Sequence, residues 1–306
     1  LLFLSYRWAF ASALIVSFEP LISTMHVLII PETFFVFFLS AFVFHFLEYM
    51  REGERNDFVY AACMLALAAY TKPAALYLAI VSGIYLLFAK KTFREVALFF
   101  CAIGILLAPW AVRNKIAGGS LTLSAHGENN ICSYMLISVF ATKYGTDASN
   151  MDVSILPSSF LDARGRCVGT ASFLKIALLE YPKSFLKTIT LSTMSLLTNE
   201  GYTVFFQKAP DDSIKPHHNY LTPVVFANRD WHGKLGAAIR ELSVWQLIVV
   251  IVGKCAWALV SIAALIGAFY LTVRKRSVYA LFLAVVACYF IGVTVLSTGY
   301  YIGARL

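Results

Sequence analysis

The sequence predicts an all-α polytopic membrane protein: a helical bundle divided by one large extracytoplasmic region. Three observations predict it. Hydrophobic residues make up 59% of the chain and charged residues only 14%, with a mean hydropathy of +0.73. A soluble domain carries nearer a quarter charged. Apolar runs near twenty residues recur, enough to cross a hydrocarbon core of about 30 Å. Between two groups of such runs lies a long polar stretch, residues 113–240, rich in Ser, Asn, Gly and Tyr. The net charge of +8 gives no reason to invoke nucleic acid. The basic residues cluster at the ends of apolar runs, where membrane orientation and anionic headgroups explain them.

The runs place spans at 3–18, 33–50, 58–71, 73–89, 95–111, 244–272 and 278–298. The third and fourth are short and share the turn Thr71-Lys72-Pro73, so they form either a hairpin or one kinked unit. Lys254 interrupts the sixth run: either the span proper begins near Cys255, the preferred reading, or Lys254 faces the bundle interior. Arg51 and Arg55, then Lys90, Lys91 and Arg94, then Arg274, Lys275 and Arg276 occupy loops that fall on one side. The positive-inside rule makes that side cytoplasmic. The chain thus divides into a first transmembrane part (1–112), an extracytoplasmic region (113–240) and a second transmembrane part (241–306). It starts at Leu1 inside one apolar run and stops at Arg305-Leu306 just after another. It is read as a fragment missing both ends.

The outer stretch is too long for a bare loop. Residues 170–197 have helical spacing, with Lys175, Lys183 and Lys187 available for one face and Pro182 starting a second half. A helix on the membrane surface is expected there. Residues 208–232, with Pro210, Pro216 and Pro223, read as irregular loop. Cys132 and Cys167 are the two cysteines of this region, either bridged in an oxidising compartment or free thiols. Cys63, Cys101, Cys255 and Cys288 lie in apolar runs and read as packing residues.

Pro109-Trp110-Ala111-Val112-Arg113-Asn114 is the most informative segment. A Trp at headgroup level followed by an Arg suits a membrane boundary: indole straddles the interface and guanidinium can hold phosphate. Gly118-Gly119 and the polar patch Ser124–Asn130 follow, with His126 and Asn129 in it. His126 is either a general base or an ordinary loop histidine. Glu32, after Pro31, either caps a helix N-terminus or faces an active-site cavity. Lys72, between two apolar runs, either snorkels to the interface or neutralises a lipid phosphate. His217-His218 lack partners at metal-ligand spacing. Phosphate-loop, dinucleotide-binding, nucleophile-elbow, H-E-x-x-H and C-x-x-C patterns are absent. That argues against an ATP-driven pump, a soluble dinucleotide enzyme or a zinc protease. A membrane enzyme with an already activated donor remains.

In order along the chain, Phe18-Glu19-Pro20 through Ile30-Pro31-Glu32-Thr33-Phe34-Phe35, Leu65-Ala66-Leu67-Ala68-Ala69-Tyr70-Thr71-Lys72-Pro73, Pro109-Trp110-Ala111-Val112-Arg113-Asn114 with Gly119, Gly127–Asn129, and Gly303-Ala304-Arg305 resemble elements of the GT-C glycosyltransferases. The resemblance is to the family 39 group, which includes dolichyl-phosphate-mannose protein mannosyltransferase-like and aminoarabinose-transferase-like enzymes. It implies a GT-C-like helical bundle and a polyprenyl-phosphate sugar as donor. It also implies an extracytoplasmic acceptor (protein, lipid or glycan) and membrane lipid as surroundings. The expected setting is a bacterial inner or plasma membrane with the site facing outward. The principal catalytic acid of that family lies in the first outer loop, expected before this fragment begins. Glu32 then stands where a second acid is presented. Lys72, Arg113, Asn114, His126, Asn129 and Arg305 are expected to bind substrate. No cofactor is assigned, and dependence on a divalent metal is left open. The alternative reading is a transporter or flippase of a lipid-linked glycan, which calls for internal repeats and charges deep in helices. No clear repeat is seen.

Overall fold

A computed structural model describes residues 31–89, 91–118, 131–146, 170–198 and 221–298, with Arg7, Phe10, Ala148 and Phe160 besides. Among the described residues every regular element is helical and none is a strand. Helices satisfy their own backbone polar groups, which an apolar bilayer requires. Four are long and apolar enough to cross a membrane: Glu32–Glu52, Phe93–Ala117, Val244–Arg274 and Val278–Ser297. The protein is an all-α polytopic membrane protein. The chain forms two compact units, Leu1–Ser124 with Ala268–Val286, and Ala125–Gly267 with Ala287–Leu306.

In the first unit, α1 (Pro31–Glu52) and α2 (Arg55–Thr71) pack side by side. Gly53, at φ 76°, reverses the chain between them, and its N–H donates to the Tyr49 carbonyl at 2.9 Å. This left-handed cap suits glycine. The buried face of α2 carries Ala61, Ala62, Ala66, Ala68 and Ala69. Small side chains let helix backbones approach closely in a membrane. Pro73 forces the residue before it out of helical geometry. Lys72 is accordingly extended (φ −139°, ψ 113°) and ends α2. A 3-10 turn (Pro73–Tyr77) then leads into α3 (Leu78–Phe88).

Helix α4 (Phe93–Gly118) packs against both α2 and α3. Phe58 near the start of α2 meets Phe99, and Gly83 in the middle of α3 lies against Phe100. The two short helices are therefore a hairpin returning to the level where α2 began. Thr92 and Glu95 start α4 with a capping box: Thr92 N–H donates to the Glu95 carboxylate at 2.6 Å and Glu95 N–H to Thr92 Oγ1 at 3.3 Å. Phe42, Phe46, Phe99 and Phe282 form the aromatic core, with Phe46 stacked on Phe282 at 4.5 Å. Tyr85 joins this core and donates its hydroxyl to the Val278 carbonyl. A phenol in an apolar setting needs such a partner.

The second unit gathers a short π-turn (Ile131–Leu136) with α5 (Ile137–Tyr144), α6 (Thr170–Glu180) and α7 (Pro182–Leu197). It continues with a 3-10 turn (Pro223–Ala227), α8 (Trp231–Glu241) and α9 (Val244–Phe269). The π-turn (Tyr270–Arg274) that extends α9 and the start of α10 (Val278–Thr298), up to Val286, belong to the first unit, and α10 from Ala287 onward belongs to the second. Met135, Val139, Phe140, Phe160, Phe173 and Phe185 are the core of the second unit. Thr142 and Thr188 share a hydroxyl contact at 2.8 Å between α5 and α7.

The runs expected at 33–50, 58–71, 95–111 and 278–298 fall within α1, α2, α4 and α10. The run at 3–18 lies outside the described residues apart from Arg7 and Phe10, both helical. Pro182 opens α7 as expected. Two expectations need correction. Helix α4 continues seven residues past the expected span end at 111, to Gly118. The stretch read as loop up to 232 contains the 3-10 turn at Pro223–Ala227, whose Val224, Val225 and Ala227 are buried, and the start of α8. Its three prolines masked an apolar cluster too short to show a period. Cys167 lies outside the described residues, so a bridge to Cys132 is not addressed.

Candidate functional site

The C-terminal end of α2 is the junction of the first unit. Lys72 Nζ lies 2.8 Å from Glu32 Oε1, in the first turn of α1. An acid there is favoured by the helix dipole and by the cation opposite. Lys72 also sits 5.8 Å from the centre of the Phe35 ring, one turn further along α1. The side chains of Lys72 and Glu32 are 38% and 26% exposed, so the pair is half-buried and remains open to a ligand. Thr71 Oγ1 donates to the Ala68 carbonyl at 2.7 Å and Lys72 N–H donates to the same oxygen at 2.8 Å. The lysine is thus presented from a fixed backbone.

Two residues earlier, Tyr70 turns toward α4. Its hydroxyl donates to the Leu106 carbonyl, and its ring meets Trp110 edge-on at 6.0 Å and 85°. Pro109 lies inside α4 and has no N–H for the carbonyl four residues before it, which loosens the backbone there. The Arg113 guanidinium lies 4.7 Å from the Trp110 ring centre, a cation–π contact at i, i+3 spacing. Tyr70 and Lys72 therefore tie both α1 and α4 to the end of α2.

Of the residues expected to bind substrate, the structure joins Lys72 to Glu32 directly. It places Arg113 on Trp110 and not on that ion pair. Asn114 follows Arg113 on α4 and is partly exposed. His126, Asn129 and Arg305 lie outside the described residues. Two members were missed in the sequence, Tyr70 and Phe35. Tyr70 adjoins Thr71-Lys72-Pro73, and Phe35 sits one turn after Glu32. Their aromatic character in an apolar run disguised them. Among the described residues no three His, Cys, Asp or Glu side chains come together as metal ligands.

The opposite end of this unit is also polar. His45 Nδ1 is 2.7 Å from Asp57 Oδ1. Tyr49 donates to Glu95 at 2.5 Å, with Lys91 Nζ 4.3 Å from the Tyr49 ring centre. Asp57 and Glu95 each have a partner here, and these contacts pin helix ends together.

The lysine at this junction is a cation already paired with a carboxylate. An incoming phosphate would share or displace Glu32 at Lys72, and the freed carboxylate would be left beside the bound ligand. Residues 2–112 match the family model described as dolichyl-phosphate-mannose-protein mannosyltransferase. This first third of the chain is similar to those enzymes. The match includes Glu32, Tyr70, Lys72 and Trp110 and stops one residue before Arg113. No curated protein and no solved structure matches the chain.

Proposed function

We propose that this protein is an integral-membrane glycosyltransferase that takes its sugar from a polyprenyl-phosphate carrier and delivers it to an extracytoplasmic acceptor. The observation that carries this reading is the Glu32–Lys72 pair. It sits inside the segment similar to lipid-phosphate-sugar mannosyltransferases. An acceptor hydroxyl or amine attacks the anomeric carbon. The bond from that carbon to the phosphate oxygen breaks, and its electron pair stays on the phosphate. The acceptor proton passes to a carboxylate, and the configuration at the anomeric carbon inverts. The leaving phosphate gains negative charge, so fixed cations stabilise the transition state more than the ground state. Lys72 and Arg113 supply that charge, and Glu32 is the acid nearest to it. Basic loops at the opposite helix ends support an outward-facing site.

Donor-dependent transfer by the full-length protein tests the reading. Polyprenyl-phosphate-[14C]mannose is the first donor to try, given the family that the first third resembles. Label in an acceptor with inverted anomeric configuration is expected. Movement of the intact carrier across the bilayer with no cleavage of the sugar–phosphate bond would instead make the protein a flippase.

A further inference from the structure

Helices α6 and α7 turn one face into the second unit, burying Phe173, Ala177, Phe185, Thr188, Leu191 and Ser192. The other face is apolar and exposed: Leu178 53%, Leu179 71%, Leu186 66% and Met194 49%. Lys183, Leu186, Lys187, Thr190 and Met194 share one side of α7 at helical spacing, and all are exposed. Lys175 on α6 adds a third exposed lysine, and Glu180 is the exposed acid of the pair. Leucines edged by lysines, with little opposing charge, complement an anionic lipid surface.

A second observation sets the depth. Ser261 in α9 donates its hydroxyl to the Leu197 carbonyl, in the last turn of α7, at 2.8 Å. The span containing Ser261 has 31 residues, Val244–Arg274. That is about 46 Å of helix, well over a hydrocarbon core of about 30 Å. Measured from the basic end at Arg274, roughly 20 residues of core end near Lys254. Ser261 lies beyond Lys254 toward the core centre by about 10 Å. The last turn of α7 is therefore held at hydrocarbon depth. Lys183 and Lys187 lie about 15–21 Å back along α7, far enough to reach headgroups.

We propose that α6 and α7 form a membrane-inserted wedge. Its exposed face occupies one leaflet of the bilayer, with Lys175, Lys183 and Lys187 on anionic phospholipid headgroups and Met194 deepest. The inference rests on the membrane span and not on the enzymatic reading. The test places a genetically encoded fluorescent amino acid at Leu186, Met194 or, as a reference, Leu259 of α9. The full-length protein is then reconstituted in nanodiscs of phosphatidylcholine and phosphatidylglycerol. Lipids brominated along the acyl chain are expected to quench Leu186 and Met194 several-fold more than aqueous iodide does. Deeper bromines should act more strongly at Met194. Equal or stronger quenching by iodide would show a water-facing helix and overturn the proposal. Quenching by neither, with Leu259 still quenched by lipid, would show a protein-covered face and overturn it too.

Discussion

Lys72 Nζ and Glu32 Oε1, forty residues apart in sequence, meet at 2.8 Å and join the start of α1 to the end of α2. The contact gives Lys72 a different first partner from the one its position suggests. A lone cation between apolar runs looks like a phosphate ligand or a snorkelling side chain. Here it is held by a carboxylate, which on the proposed reading the carrier phosphate would share or replace.

Exchanging the two charges separates structure from chemistry. In Glu32→Lys with Lys72→Glu the pair can reform but both helix dipoles are opposed, so the protein should still insert and should be less destabilised than either single reversal. Either single charge reversal should lower stability by about 1 kcal/mol, the scale of a partly exposed pair. The exchanged protein should nevertheless transfer sugar poorly, because the cation has moved to the other helix. Thermal unfolding in detergent and initial transfer rates measure the two effects. Full activity in the exchanged protein would show that the position of the cation does not matter.

On the proposed reading, Trp110 positions Arg113, whose guanidinium lies over its ring. Trp110→Ala removes a contact worth about 0.5–1 kcal/mol at an exposed site, so transfer should fall several-fold. Trp110→Phe should recover much of the loss by restoring a ring face. Arg113→Ala should cost more than Trp110→Ala while the protein still folds and inserts. Rates measured at matched protein levels in membranes decide the order. If Trp110→Ala is as damaging as Arg113→Ala and Trp110→Phe gives no rescue, the tryptophan's role is structural.

Gly145 ends α5 in the left-handed region, at φ 67°, and its carbonyl accepts from Arg229 N–H at 3.0 Å. A Cβ there would come within 2.5 Å of Arg229 Cγ. Gly145→Ala should destabilise the second unit by about 1–2 kcal/mol, from the left-handed backbone alone. Gly145→Asn should cost less on the backbone, since asparagine tolerates this region. Arg229→Ala should not rescue Gly145→Ala, because relieving the clash leaves the strain. Limited proteolysis and unfolding temperature report the difference.

Much of the fold was legible because the bilayer imposes length and polarity on each span. Val96, Phe99, Ile103 and Leu107 recur at helical spacing and are the buried stripe of α4. Pro73 and Pro182 each mark a boundary through backbone geometry alone. The 3-10 turn at Pro223–Ala227 was not legible, since five residues give no period. The candidate site shows in the sequence as single charges but not as contacts. Glu32, Lys72 and Arg113 stand out as charges beside apolar runs. Nothing in their spacing shows that Glu32 pairs with Lys72 while Arg113 stacks on Trp110. Tyr70 was hidden because its function lies in a tertiary hydrogen bond to Leu106.

The proposed sidedness is tested with Glu54→Cys and Ile116→Cys, at opposite ends of the first unit. An impermeant maleimide applied to intact cells should label Ile116→Cys and spare Glu54→Cys until the membrane is opened. The reverse pattern would put the Lys72 end in the cytoplasm.

The most direct measurement is the rate of sugar transfer from polyprenyl-phosphate-[14C]mannose by the full-length protein, wild type against Lys72→Met. Removing one fixed charge from a leaving phosphate costs on the order of 10²-fold in rate. The expected result is wild-type transfer with release of polyprenyl phosphate, and a fall of roughly that size in Lys72→Met with the protein still inserted. Transfer by Lys72→Met at the wild-type rate would contradict the account.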